Sequence, residues 1–178
     1  GAYHFGYANR KCSNEYKAAL LKLAKNSIEY GVINGKIMPN FQFPGNLYDD
    51  TPTASFVTIE KSGQLRGCIG TLVAHRPLAM DIMNNAYNAA FKDQRFPPLS
   101  KEELEHINIK ISVLSPPEPI SFTSEADLLQ QIRPNIDGLI LTEGSHRGTF
   151  LPSVWESLRT PEEFLSNLKV KAGLTYDY

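Results

Sequence analysis

Residues 55–70, SFVTIEKSGQLRGCIG, constrain the fold more than any other stretch. Ser55 to Lys61 and Gln64 to Gly70 read as two strands joined by a tight turn, which commits this part of the chain to an antiparallel hairpin. A one-residue slip in such a pair turns every side chain to the opposite face. A two-residue Ser62-Gly63 loop sets Val57 and Ile59 beside Arg66 and Cys68. A three-residue Lys61-Ser62-Gly63 loop puts Gly63 at the left-handed position that such loops favour. It groups Val57, Ile59, Leu65 and Ile69 on one face, and Phe56, Thr58, Glu60, Gln64, Arg66 and Cys68 on the other. The second register separates apolar from polar residues cleanly and is the one expected. It brings Arg66 and Cys68 to the same, more polar face.

The other elements follow from periodicity and end signals. Tyr16, Ala19, Leu20, Leu23, Ala24 and Ile28 recur at helical spacing between Asn14 and Tyr30, with Gly31 as the stop. Asn34 to Thr53 has no periodic pattern and reads either as a packed irregular loop or as a functional cover. Pro77 suits the first position of a helix over Leu78 to Phe91, and Ser100 with Glu103 forms a capping box for a short helix. Ile107, Ile109, Ile111 and Val113 alternate with polar residues in the clearest strand of the chain, which Pro116, Pro117 and Pro119 end. A short helix follows Ser124, and Gly138 to Thr142 with His146 to Leu151 form a second hairpin around Gly144. Thr160, Pro161 and Glu163 start a last helix whose buried stripe is Phe164, Leu165 and Leu168, ended by Gly173. Strands grouped in hairpins with helices between them indicate an α+β fold rather than a doubly wound one.

Composition removes several functions. The chain has 18 basic and 19 acidic residues, a net charge of −1, which argues against an electrostatic grip on nucleic acid. Its 178 residues suit one domain. Two cysteines, Cys12 and Cys68, do not make a disulfide scaffold, so free thiols in a reducing cytosol are expected. No apolar run reaches membrane-spanning length and no signal-peptide pattern opens the sequence, so no membrane association is expected. His4, His75, His106 and His146 are scattered, without zinc-ligand spacing, and there is no Walker loop, GxGxxG or GxSxG. No metal or cofactor is therefore expected.

Cys68 is the candidate catalytic group. A thiol becomes a nucleophile when it is partly exposed in electropositive surroundings, and Arg66 could supply that field. Gly67 and Gly70 would let a ligand or another chain segment approach the backbone. The alternative is a small buried residue in a tightly packed strand. Asp93 and Arg95, before Pro97-Pro98, form either a polar clamp for a ligand or an ion pair that ties a loop down. Arg147 on the second hairpin offers a fork for carboxylate or phosphate, or is a solvated strand charge.

Taken together, the motifs resemble the AMMECR-type domain family. The matching blocks are LRGCIGT at 65–71, AFKDQRFPPLS at 90–100, ISVLSPPEPI at 111–120, DGLIL at 137–141, RGTFLPSVW at 147–155 and FLSNLKVKAGL at 164–174, in the family's order. The resemblance implies antiparallel sheets in a larger and a smaller lobe, the larger built from both chain ends, with a candidate site near the LRGCIGT block. It carries the signature onto Leu65, Arg66, Gly67, Cys68, Ile69, Gly70 and Thr71. Microbial members resemble protein A of the AmmeMemoRadiSam system. Resemblance to that protein implies a radical S-adenosylmethionine enzyme and a Memo-type protein as partners. The chain has no three-cysteine iron–sulfur motif, so radical chemistry would belong to the partner. The functional expectation is a site for a small anionic molecule or a modified residue, with Cys68 as nucleophile or acceptor. The alternative is a non-catalytic binding module.

Overall fold

A computed structural model describes residues 1–8 and 13–178, so Cys12 lies outside the described residues. The fold is α+β, as expected, and separates into two compact units. One comprises Asn9–Leu114; the other combines Gly1–Ala8 with Ser115–Tyr178. The unit built from both chain ends is thus the shorter of the two, where the resemblance implied the larger.

In the second of these units, β1 (Ala2–Phe5) precedes everything else in the chain, and it lies inside a sheet made otherwise from the C-terminal third. The first unit begins with α1 (Asn14–Asn34), capped by the Ser13 hydroxyl, which accepts from the Tyr16 amide at 3.1 Å. Gly31 does not stop α1. It sits inside the helix because a side chain there would be driven into the Phe91 ring, and Gly35, at φ 69°, makes the left-handed end. The hairpin β2 (Ala54–Lys61) and β3 (Gln64–Gly70) follows, then α2 (Leu78–Phe91), with Pro77 just before the first helical residue. Residues Lys101–His106 form a 3-10 helix with the expected Ser100/Glu103 capping box. The strand β4 (Ile107–Leu114) completes a sheet of order β3-β2-β4. The patternless segment before β2 is packed: Met38 is buried with Leu23, Ala79 and Met83.

The hairpin differs from the expected register in an informative way. Its turn has two residues, Ser62 and Gly63, with φ 53° and 75°, and pairs Lys61 with Gln64 and Glu60 with Leu65. Two positive φ values match the twist of the flanking strands. A bulge then inserts Arg66, so that Ile59 pairs with Gly67, Thr58 with Cys68 and Val57 with Ile69. The extra residue restores the expected face for Cys68 and Ile69 but sends Leu65 outward, 44% exposed beside Glu60. Val57 and Ile59 are fully buried against α1 and α2, with Leu20, Ile28, Ile82 and Ala86.

The other unit adds β5 (Glu118–Ile120), α3 (Glu125–Gln131), β6 (Gly138–Glu143), β7 (His146–Phe150) and α4 (Pro161–Lys171). Its sheet has the order β5-β1-β6-β7. Thr160 caps α4 through the Glu163 amide at 3.2 Å, as its sequence requires. Trp155 stacks on Phe164, with ring centroids 4.0 Å apart, and its indole N–H donates to the Asp137 carbonyl at 2.7 Å.

Gly67 packs against α2 so closely that a methyl group would meet the Ala89 carbonyl oxygen. Both atoms belong to backbone held in regular structure, so neither can give way cheaply. Gly67→Ala is expected to cost about 1–3 kcal/mol, read as a lowered midpoint in urea denaturation with an unchanged slope.

Candidate functional site

Three carboxylates hold the LRGCIGT strand. The first is Glu103. Arg66 is 8% exposed and donates to it from Nε at 2.8 Å and from Nη2 at 3.1 Å. Arg66 Nη2 also reaches the Pro97 carbonyl at 2.8 Å, and Lys61 Nζ reaches Glu103 at 3.2 Å. The same carboxylate accepts from the Ser100 amide at 3.1 Å, closing the capping box. Arg66 chiefly, with the Ser100 amide and Lys61, lowers the Glu103 pKa from 4.5 to about 2. The expectation that Arg66 holds an anionic group meets a guanidinium whose Nε and Nη2 are taken up by Glu103 and the Pro97 carbonyl, while its buried Nη1 has no hydrogen-bond partner among the described residues. Its guanidinium is buried in a bidentate ion pair, because the bulge that adds Arg66 to β3 delivers it to Glu103.

The second carboxylate is Asp93. It accepts from the outward-facing Cys68 amide at 3.0 Å, and from Arg95 Nε and Nη2 at 3.0 and 2.7 Å. Arg95 holds the Asp93 carboxyl well below the usual carboxylate range, and Asp93 in turn raises the Arg95 pKa. Asp93 and Arg95 are therefore an ion pair that closes the edge of β3. The Arg95 side chain nevertheless remains 57% exposed, over the Phe96 ring.

The third is Asp81, fully buried on α2. It accepts from the Thr71 hydroxyl at 2.8 Å, Ser55 at 2.6 Å, Arg76 Nε at 2.8 Å and Asn85 Nδ2 at 3.0 Å. Five polar side chains satisfy one another in an apolar setting, which rigidifies the start of α2 against both strands. Sequence reasoning passed over this network. Its signal was present: Asp81 and Asn85 are four residues apart on the face of α2 that also carries Leu78 and Ile82.

The glycines are filled by the protein itself. Gly67 lies under the Ala89 carbonyl, and the Phe56 ring covers Gly70. The close approach expected at these positions is made by chain segments. Cys68 itself is half-buried, its Sγ 3.3 Å from the Thr58 hydroxyl, the cross-strand neighbour that the register provides. Its thiol also lies within electrostatic reach of Arg95. His75 makes its ring hydrogen bond with the Val73 carbonyl. Arg147 belongs to the other unit, exposed on β7 opposite Thr142. Among the described residues, no group of three or more His, Cys, Asp or Glu side chains could hold a metal ion, and no helix is long and apolar enough to cross a membrane.

Fold and site define an α+β protein with a thiol on an edge strand that acidic side chains pin from within. The family model AMMECR1 matches residues 21–178, and the chain belongs to that family. It is 41% identical over 172 residues to a protein of Methanothermobacter thermautotrophicus, covering 93% of this chain and 86% of that relative. It is 40% identical over 156 residues to a protein of Thermotoga maritima, covering 86% of this chain and 83% of the relative. Among solved structures it is similar to the uncharacterized protein PH0010 from Pyrococcus horikoshii, with a TM-score of 0.83 and 34% identity over 94% of this chain and 85% of that one.

The Glu103 ion pair has a pH signature. The folded-state pKa lies below the ordinary 4.5, so its stabilisation is complete above about pH 4.5 and is lost as pH falls toward 2. Glu103→Gln is expected to lower stability at pH 7 by about 3 kcal/mol. The gap to the wild type should narrow steadily as pH falls through that window, measured by denaturant titration at each pH.

Proposed function

We propose that this is a thiol-centred protein acting within a multi-protein system, in which Cys68 receives or passes on a small anionic molecule or a group carried on a modified residue. One contrast carries this reading. Arg66, the Cys68 amide and Thr71 are each committed to an internal carboxylate, whereas the Cys68 thiol meets only the Thr58 hydroxyl and is half-buried. The strand therefore holds a reachable sulfur in a fixed position. Thr58 can donate to the sulfur once it is deprotonated. Arg95 uses Nε and Nη2 on Asp93, which leaves Nη1 of an exposed guanidinium for a carboxylate or phosphate.

As a nucleophile, the Cys68 thiolate attacks an electrophilic carbon of the bound molecule. The Sγ–C bond forms as the bond to the leaving group breaks, and the leaving group takes the electron pair. The thiol proton goes to solvent, since no histidine among the described residues hydrogen-bonds to Sγ. A radical S-adenosylmethionine enzyme and a Memo-type protein are the proposed partners, and a reducing cytosol the proposed setting. A second reading, a non-catalytic docking module, is favoured by the internal commitment of Arg66 and Thr71. In it, Cys68 is packing.

Alkylation of the native protein, followed by mass spectrometry with Cys12 as the internal comparison, separates the two. Cys68 is expected to react in the folded state, and Thr58→Val to slow it several-fold. Cys68→Ser should lose partner-dependent activity with its melting temperature kept. Reaction only on unfolding, with a Cys68→Ala protein that still binds its partner, would instead establish the docking module.

A further inference from the structure

Arg66 and Arg95 are used in the same way and leave the same atom over. Arg66 lays its Nε–Nη2 edge on Glu103, at 2.8 and 3.1 Å. Arg95 lays the same edge on Asp93, at 3.0 and 2.7 Å. A guanidinium is planar, so a fork through Nε and Nη2 turns Nη1 away from its carboxylate. Arg66 Nη1 is buried and has no hydrogen-bond partner among the described residues. A buried N–H left unpaired gives up its hydration without return. Charge points the same way. Lys61 and Arg66 both pair with Glu103, two cations on one carboxylate, whereas Arg95 and Asp93 balance.

One side chain lies against both guanidiniums. The Phe96 ring centre is 5.8 Å from Arg66 Cζ and 5.5 Å from Arg95 Cζ. Phe96 is half-buried and belongs to the segment 93–97 that straps the edge of β3. Asp93 takes the Cys68 amide at one end of the strap, and the Pro97 carbonyl takes Arg66 Nη2 at the other. The strap backbone is anchored: the Phe96 amide donates to the Asp93 carbonyl at 3.1 Å, and the Leu99 amide to the Ala90 carbonyl at 2.9 Å. Glu103 and Pro97 are hydrogen-bonded to the Arg66 guanidinium, and the Phe96 ring is not. The ring turns away by side-chain rotation alone, without breaking a hydrogen bond.

We propose that Arg66, Arg95 and Phe96 form a closed seat for one carboxylate: the ring turns out, and the carboxylate of the ligand bridges Nη1 of Arg66 and Nη1 of Arg95. This rests on the reading of Cys68 as the reacting group. It narrows the ligand to a carboxylic acid whose electrophilic carbon stands away from the carboxyl group, because Arg66 lies two residues along the strand from Cys68. Two carboxylate oxygens match two N–H groups, and a single negative charge matches the one positive charge in excess. Two charge-assisted hydrogen bonds replace the contacts that the two guanidiniums make with the ring.

The rate of Cys68 modification by β-maleimidopropionate relative to N-ethylmaleimide tests the seat, read by mass spectrometry with Cys12 of the same molecules as reference. The two reagents share the reacting ring and differ in the carboxylate. The ratio at Cys68 is expected to exceed that at Cys12 about tenfold. Phe96→Ala should raise it further, since nothing then has to be displaced. Arg66→Lys keeps a cation on Glu103 but has no Nη1, and should lower the ratio several-fold. Reaction with both reagents at the Cys12 ratio would overturn the seat and leave the thiol reading standing. A raised ratio that neither substitution changes would also overturn it, and would assign the anion to Arg95 alone. If Arg66→Lys does not fold, Phe96→Ala decides: an unchanged ratio overturns the seat. Reaction with neither reagent before unfolding would overturn both the seat and the reading on which it rests.

Discussion

An edge strand leaves a row of amides and carbonyls without a neighbour, and each must find a partner or face water. In β3 the outward amide of Cys68 finds its partner in Asp93, and two further carboxylates hold side chains of the same block. Glu103 comes from the 3-10 helix before β4, Asp93 from the segment after α2, and Asp81 from within α2. Three separate elements thus converge on seven residues. Each carboxylate accepts several hydrogen bonds, and those of Glu103 and Asp93 are held ionised by arginine. Glu103 also closes the capping box of its own helix, so the helix start and the strand are tied through one side chain. Removing Glu103 or Asp81 would leave a buried donor without its acceptor, Arg66 in the first case and Ser55 with Asn85 in the second, which costs more than the contact itself is worth.

That arrangement explains why the most distinctive sequence block is so unlike a ligand-binding loop. Its arginine and threonine face inward to acids, and its glycines admit a helix backbone and an aromatic ring rather than a substrate. What remains is a sulfur placed by a rigid frame beside a hydroxyl, with an exposed guanidinium in electrostatic reach. The hydrogen bonds of that frame fix where the sulfur sits on the strand.

The second unit is organised around a long-range insertion. β1, from the extreme N-terminal residues, pairs with β5 on one side and β6 on the other. Its Ala2 joins Leu139, Trp155 and Phe164 in the core. Closing so long a loop costs entropy that grows only slowly with length, and the central position in the sheet offsets it with two ladders of hydrogen bonds.

Element types were legible from local chemistry. Ser124 and Thr160 name helix starts because a short oxygen side chain satisfies an orphan amide there, whatever the tertiary context, and at Ser100 it is the Glu103 carboxylate that takes the amide. The alternation from Ile107 to Val113 names a strand because the pleat has a period of two. The face of Cys68 was legible too, although by a different turn, since a two-residue loop followed by a bulge has the same parity as a three-residue loop. Tertiary structure alone decided the rest. Gly31 continues a helix because Phe91, sixty residues later, fills the space beside it. Arg66 faces Glu103 because the bulge and the capping box meet in space. Composition and periodicity report what each residue can do alone. Which charge meets which depends on contacts between residues far apart in the chain, and no local pattern encodes those.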